Sequence, residues 1–255
     1  MVTLTRRLGL VGTVVIACMF IVGWWAASTQ FSHIVLPSPV EVGGALWNLA
    51  SSGAILRNVS TTFYRVCIAF SLALALGLSI GFLIARVSPL QGAFERAVLL
   101  FQSVPSAIWI IMAIIWFGIG GAAPIFVIWA IAFPIMALNI FEGVKNVDSE
   151  LVEMGEIFGH GGESIFTKIV LPSIFPYLLT GSRIAMALSW KISVIAEVLG
   201  SSSGIGYAIS NAYERLRTDE IFAWTIVILL ILQAFDLLVF RRLEGRVKKY
   251  QPRKL

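Results

Sequence analysis

Six blocks of about 20 mostly apolar residues divide the chain, and they limit its possible folds more than any other feature. A helix needs about 20 such residues to cross the hydrocarbon core of a bilayer. Only 13% of the 255 residues are charged and 58% are hydrophobic, whereas soluble domains carry about 25% charged residues. A soluble core could not bury this much apolar surface. We therefore expect an all-α membrane protein with about six transmembrane helices.

The apolar blocks show no alternation with a period of two, so a membrane β-barrel is not predicted. The first block is longer than the apolar part of a signal peptide, and no small-x-small cleavage site follows it. An uncleaved first span is therefore expected. The predicted spans cover approximately residues 8–27, 62–85, 97–117, 122–141, 174–199 and 222–240.

Lys and Arg residues near the span ends predict the orientation, because basic residues are enriched in cytoplasmic loops. With the N-terminus inside, thirteen of them fall in inner segments and only Arg57, Arg215 and Arg217 in outer ones. Both termini are therefore expected in the cytoplasm. The net charge of +5 is interpreted as this topology signal and not as a nucleic-acid surface. Arg65 is placed at a span edge.

The longest predicted inner loop, about residues 142–173, is acidic and rich in glycine. Acidic residues contribute little to topology, so orientation does not explain them. Asp148 or Ser149 can cap a short helix, and Gly159 suits the position where that helix ends. The residues alone allow two interpretations of this loop. It is either a connection folded against the bundle or a docking element for a partner protein.

A second short helix is expected in this loop from about Glu163. Leu171-Pro172 would stop it, because proline removes a helical donor and disfavours helix at the residue before it. Its exposed apolar side chains, which a partner could bury, would be Ile165, Phe166 and Ile169.

Charged residues inside the spans need an explanation, because each costs at least about 2.5–3.5 kcal/mol at mid-bilayer. Arg183 and Lys191 lie eight residues apart, about 80° around a helix, so both can line one side of a pore. Three roles are considered for Lys191: it lines a substrate pathway, it forms an ion pair with Asp236 or Glu197, or it snorkels to the membrane surface. Arg183 is expected to snorkel or to form an ion pair. The candidate pathway residues are Arg183, Ser189, Trp190, Lys191, Ser193 and Glu197.

Small and kinking residues indicate how the spans pack. Gly77 and Gly81 form a G-x-x-x-G motif, which permits close helix approach. Because many other small residues surround it, packing within the bundle is favoured over a dedicated dimer face. Pro105, Pro124 and Pro134 are placed at or near span ends, where they are expected to kink helices around the pathway.

Several motifs in series resemble the membrane subunits of ABC importers, the binding-protein-dependent permeases. The inner loop resembles the EAA loop of that family, with Met154-Gly155 where Ala-Ala is usual; its matching residues are Glu153, Gly159, Ile169, Leu171 and Pro172. Three further segments resemble the nitrate/sulfonate/taurine branch. They are Leu36-Pro-Ser-Pro-Val40, Ser103-Val-Pro-Ser106, and Ala196-Glu-Val-Leu-Gly200 with Gly204-Ile-Gly-Tyr-Ala-Ile209.

The resemblance implies a type I importer (MetI-like) fold. It implies an N-terminal helix with a periplasmic segment over residues 1–60, a permease core over residues 61–245 and a basic cytoplasmic tail over residues 246–255. The inner loop would be a coupling helix that sits in a groove of a cytoplasmic ATPase. The implied coupling residues are Glu153, Gly159, His160, Gly161, Ser164, Ile165, Phe166, Ile169, Leu171 and Pro172.

The chain contains no G-x-x-x-x-G-K-[ST] phosphate loop, so we expect it to bind no cofactor, with ATP and Mg on a separate ATPase. An enzyme is not expected, because His33 and His160, the only histidines, fall on opposite predicted sides of the membrane. The resemblance implies a multi-pass protein of the bacterial inner membrane. Its implied partners are a second copy of itself, two ATPase subunits, a periplasmic or lipid-anchored binding protein and membrane lipids, and no nucleic acid.

The expected substrate is a small solute, anionic because of the cationic span residues, and similar to nitrate, sulfonate or taurine. One alternative is an ion-gradient-driven secondary transporter, but the two halves of three spans share no evident inverted repeat. The other alternative is the same kind of permease carrying an uncharged vitamin precursor or an aromatic compound.

Overall fold

The computed structural model describes residues 2–240, without the side chains of residues 2–11, 13, 14, 239 and 240. The predicted basic tail, residues 246–255, lies outside this range. Within it the structure is helical, and residues 2–240 contain no strand. The α-helices are α1 Val2–Ser28, α2 Pro39–Ser51, α3 Ala54–Ala85, α4 Ser88–Gln102, α5 Ser106–Phe117, α6 Ala122–Lys145, α7 Ser149–Ile157, α8 Gly162–Ile165, α9 Leu171–Gly200, α10 Ile205–Glu214 and α11 Thr218–Phe235.

Four helical stretches of the described chain are long and apolar enough to cross a membrane. They confirm the predicted second, fourth, fifth and sixth spans, and they are Ala54–Ala85, Ala122–Lys145, Gly162–Gly200 and Thr218–Leu238. The predicted first span lies in α1, whose described apolar part is Val15–Ser28. The remainder of that prediction rests on side chains outside the described residues.

The predicted third span, residues 97–117, is wrong as a single straight helix. The chain forms α4 and α5 instead, and their axes are bent by 83°. Pro105 adopts an extended backbone (φ −56°, ψ 137°) immediately before α5. Since a proline also drives the preceding residue out of the helical region, Val104-Pro105 separates the two helices.

Residues 2–58 and 208–229 form one compact unit. The Leu36-Pro-Ser-Pro-Val40 motif starts α2: the backbone N–H of Glu41 donates to Ser38 Oγ, and Glu41 accepts from the Ser38 backbone N–H. This reciprocal arrangement satisfies two donors that a helix start leaves open. Hydrogen bonding by Ser38 and His33 lowers the pKa of the Glu41 carboxyl. Val42, Ala45 and Ala223 form the core of the unit.

Residues 59–207 and 230–240 form a second compact unit, built around α6 and α9. Gly77 and Gly81 of α3 lie directly against α6: a Cβ atom at Gly77 would be 2.7 Å from Met136 Cβ, and one at Gly81 would be 2.6 Å from the Ala137 carbonyl oxygen. The G-x-x-x-G motif therefore packs within the chain, as the sequence favoured. Pro134 lies inside α6 and not near its end, which corrects its expected position.

We expect Gly81→Val to destabilise the protein by about 1–3 kcal/mol, because the new side chain forces α3 and α6 apart. Gly92→Val is the matched control: it makes the same change in α4, where a Cβ atom would have no neighbour within 4 Å. Apparent unfolding temperatures in detergent measure both variants. Equal temperatures would show that the contact between α3 and α6 is not needed for stability.

Candidate functional site

A cavity of about 420 Å³ opens at the break between α4 and α5. Its walls come from the break itself, from the middle of α6 around Pro134, and from the second half of α9. Most of the wall is apolar. The polar side chains that line it are Gln102, Ser103, Ser106 and Lys191.

Lys191 is the one charged side chain among the described residues that line this cavity. It is exposed, and it forms no salt bridge with another described residue. Both acids that the sequence offered as partners bond to arginines instead: Glu197 to Arg65 and Asp236 to Arg183. The ion-pair alternative for Lys191 is therefore wrong.

Arg183 lies away from Lys191 and its cavity. Its Nε and Nη2 atoms donate to Asp236 Oδ1 at 3.0 and 2.7 Å. This pair lines a separate small cavity of about 80 Å³, together with Trp190 and apolar side chains of α9 and α11. The expectation that Arg183 and Lys191 line one surface is corrected, whereas the expected pairing of Arg183 is confirmed.

Ser189, Trp190 and Ser193 do not line the Lys191 cavity either. All three side chains are buried, on the side of α9 that packs inside the chain. Ser189 Oγ donates to the Ala185 carbonyl at 2.7 Å, and Ser193 Oγ to that of Trp190 at 2.8 Å. Of the six predicted pathway residues, Lys191 alone reaches the cavity.

Glu197 is fully buried and forms the centre of a polar cluster between α3 and the end of α9. Arg65 Nη1 donates to Glu197 Oε1 at 2.7 Å, and Thr62 Oγ1 donates to Oε2 at 2.8 Å. The backbone N–H of Gly206 donates to Oε2 at 3.0 Å. Because several donors meet one carboxylate, the charge is paired and hydrogen-bonded inside the protein. Glu197 therefore acts in packing and not in the cavity lining.

The turn between α9 and α10 folds tightly around this carboxylate. Arg65 also donates to the backbone carbonyl and to the hydroxyl of Ser203, both at 2.7 Å. Gly204 has φ +101°, and a Cβ atom there would lie 2.4 Å from the Glu197 carboxylate. Glycine is therefore required at residue 204 by both backbone conformation and space.

Sequence reasoning missed the importance of Arg65, which it placed at a span edge. Only 5% of Arg65 is exposed. The sequence feature that pointed to it was an arginine in one apolar block together with an acidic residue in another, since two such charges can pair. Spacing along the chain could not pair them, because 132 residues separate Arg65 from Glu197.

The EAA-like loop forms the predicted short helix, α7, followed by the predicted turn, and α8 begins after that turn. Asp148 caps α7 by accepting from the Glu150 backbone N–H at 2.9 Å. Gly159 follows α7 with φ +73°, and the His160 N–H donates to the Gly155 carbonyl at 3.0 Å. Gly161 precedes α8, where its carbonyl accepts from the Ser164 N–H at 2.9 Å.

Two predictions about the second helix are wrong. Ile165 is buried, because it packs with Ile169 on Gly155: a Cβ atom at Gly155 would be 3.2 Å from Ile165 and 3.3 Å from Ile169. Leu171-Pro172 also does not stop the helix. A π-helical turn, Phe166–Val170, joins α8 to α9, and the helix continues through Pro172 without a break.

Apolar side chains of α7 and its end form an exposed surface, which we call the α7 patch. Its members are Leu151 (47% exposed), Met154 (51%), Ile157 (81%) and Phe158 (75%). Glu153 is exposed beside it. The close packing that small residues permit occurs at Gly155, while Met154 faces outward. The departure from Ala-Ala therefore leaves the contact between the two helices intact.

Comparison with known proteins identifies the family. A family model described as a binding-protein-dependent transport system inner membrane component matches residues 73–249. The chain is 34% identical over 214 residues to the putative aliphatic sulfonates transport permease protein SsuC of Escherichia coli (strain K12), covering 84% of this chain and 77% of that protein. It is 26% identical over 215 residues to the taurine transport system permease protein TauC of the same strain, covering 82% and 78%.

Solved structures show the same fold. An inward-facing structure of the MetNI methionine ABC transporter aligns with a TM-score of 0.63 and 19% identity, covering 74% of this chain and 94% of that one. A chain of an amino acid ABC transporter aligns with a TM-score of 0.60 and 16% identity, covering 81% and 98%. The all-α membrane fold of the MetI type is thereby confirmed. The chain belongs to the binding-protein-dependent transport system inner membrane components, the permease subunits of ABC importers.

Proposed function

We propose that two copies of this chain form the membrane pathway of an ATP-driven importer for a small anion. The observation that carries the anionic substrate is Lys191, a cationic side chain without a salt bridge to a described residue, at the wall of an apolar cavity. A charge beside an apolar wall attracts an opposite charge more strongly than one surrounded by water. The name of the sulfonate relative supports the same substrate class, and taurine, named for another relative, also carries a sulfonate group.

The proposed location is a bacterial inner membrane, with both termini in the cytoplasm. The excess of Lys and Arg in the inner segments supports this orientation. It puts the α7 patch on the cytoplasmic side. Helices α2 and α10 then lie on the periplasmic side, where each would contribute to the surface that receives a periplasmic or lipid-anchored binding protein.

The α7 patch is the proposed contact for the ATPase. Four exposed apolar side chains, three on α7 and one immediately after it, have no partner in the described chain. A groove in another protein would remove them from water. Glu153 beside them can bond to a basic group on the groove wall. ATP and Mg bind the two ATPase subunits in this proposal, and their closure moves α7 and α8.

Lys191→Ala is expected to reduce uptake by a factor of at least about ten, because it removes the cavity's cation while leaving the α7 patch intact. Uptake into cells and co-purification of the ATPase measure the two effects separately. Lys191→Arg keeps the charge and is expected to retain most of the uptake. Normal uptake by the alanine variant would remove Lys191 from the pathway.

Phe158→Ala combined with Ile157→Ala is expected to reduce ATPase co-purification and uptake together, because it shrinks the docking surface by two large side chains. Leu90→Ala is the control, since Leu90 is also exposed and lies in a predicted cytoplasmic segment outside the patch. The ATPase recovered with the purified chain is measured for both. Full recovery with the double variant would refute the docking assignment.

Single-cysteine labelling checks the proposed orientation, after Cys18 and Cys67 are replaced by serine. A membrane-impermeant maleimide should label Asn211→Cys in intact cells and His160→Cys only in inverted vesicles. The reverse pattern would place the α7 patch outside the cell, and the ATPase assignment would fail with it.

A further inference from the structure

We propose that the cavity at the break between α4 and α5 is a two-part binding site for a monovalent aromatic anion, such as an aryl sulfonate or carboxylate. Lys191 would hold the charged head, and the rings of Phe101 and Trp109 would hold the flat apolar body. This inference rests on the proposed importer function and adds to it a substrate class and a specificity surface.

The charge of the cavity in each chain favours a ligand with a single negative charge. Lys191 is the one charged side chain among the described lining residues, and the neutral groups beside it are Gln102, Ser103 and Ser106. A second negative charge on the ligand would enter an apolar site without a counter-charge, at a large desolvation cost. Monovalent anions are therefore favoured over divalent ones such as sulfate.

The size of the cavity argues against a bare inorganic anion. About 420 Å³ lies within the range of about 300–1,000 Å³ that is typical of sites for organic ligands. Nitrate is only somewhat larger than a water molecule, which occupies about 30 Å³ in the liquid. Nitrate would leave most of the apolar wall in contact with water. A ligand with an apolar body would cover that wall and therefore gain more binding free energy from the same cavity.

The wall also carries a specific aromatic surface. The ring centroids of Phe101, at the end of α4, and Trp109, in α5, lie 4.6 Å apart with an angle of 32° between their planes. Both residues line the cavity, so the 83° bend brings their rings together at its edge. Offset stacking on such rings favours a planar aromatic body over an alkyl chain of equal charge.

The test measures anion binding to the chain purified together with its ATPase and reconstituted in lipid nanodiscs. Labelled benzenesulfonate is the probe, and methanesulfonate and nitrate are the competitors. We expect benzenesulfonate to bind at least about tenfold more tightly than methanesulfonate, and nitrate to bind most weakly. Equal affinities for the two sulfonates would overturn the aromatic assignment.

Matched variants separate the two parts of the site. Trp109→Leu is expected to weaken benzenesulfonate binding about 3- to 10-fold and to leave methanesulfonate within about twofold. Trp116→Leu changes another tryptophan of α5 that does not line the cavity. It should leave the affinity for both ligands unchanged. Lys191→Gln should weaken both sulfonates by about tenfold or more, whereas Lys191→Arg should not. Equal effects of the two tryptophan variants would refute the proposal.

A separate measurement distinguishes failure of this inference from failure of the proposed function. ATP hydrolysis by the same purified complex tests the importer assignment without any aryl anion. If an ATPase co-purifies and hydrolyses ATP but the binding pattern above is absent, the aromatic site is refuted and the importer stands. If no ATPase co-purifies, the importer assignment itself fails.

Discussion

The buried ion pair between Arg65 and Glu197 is the interaction on which the arrangement of the permease core depends. It joins α3 to the end of α9 and holds the turn into α10 around one carboxylate. Burying two charges is expensive unless every donor and acceptor is satisfied, and removing one partner of such a pair typically costs about 3–5 kcal/mol. The pair therefore makes these three elements interdependent: none can shift away without exposing an uncompensated charge.

The same pair fully engages one of the three cationic side chains that the sequence places at or within the spans. Arg65 and Arg183 each bond to an acid, whereas Lys191 has no such partner among the described residues. A lysine is well suited to that role, because its compact ammonium group holds an anion without the fixed planar geometry of a guanidinium group. Of Arg65, Arg183 and Lys191, the two arginines are thus structural, and the lysine faces a cavity.

Sequence patterns correctly predicted those features of the fold that depend on residues close together in the chain. The apolar blocks gave four spans, and Asp148 and Gly159 marked the ends of a short helix because capping depends on immediate neighbours. Other features depend on residues far apart in the chain, which the sequence alone does not bring together. The partner of Arg65 lies 132 residues away. Pro172 was misinterpreted as a stop, because the π-helical turn before it, Phe166–Val170, allows the helix to continue.

That continuity makes one uninterrupted helical segment from Gly162 to Gly200. At about 1.5 Å per residue, its 39 residues span about 58 Å, nearly twice the hydrocarbon thickness of a bilayer. Ile165 lies near one end, Lys191 about three quarters of the way along, and Glu197 near the other end. A tilt of only about 5° at the α8 end would displace the far end by about 5 Å over this length. In the proposed importer, a small rearrangement at the ATPase contact would thereby become a larger displacement at the far end of the helix.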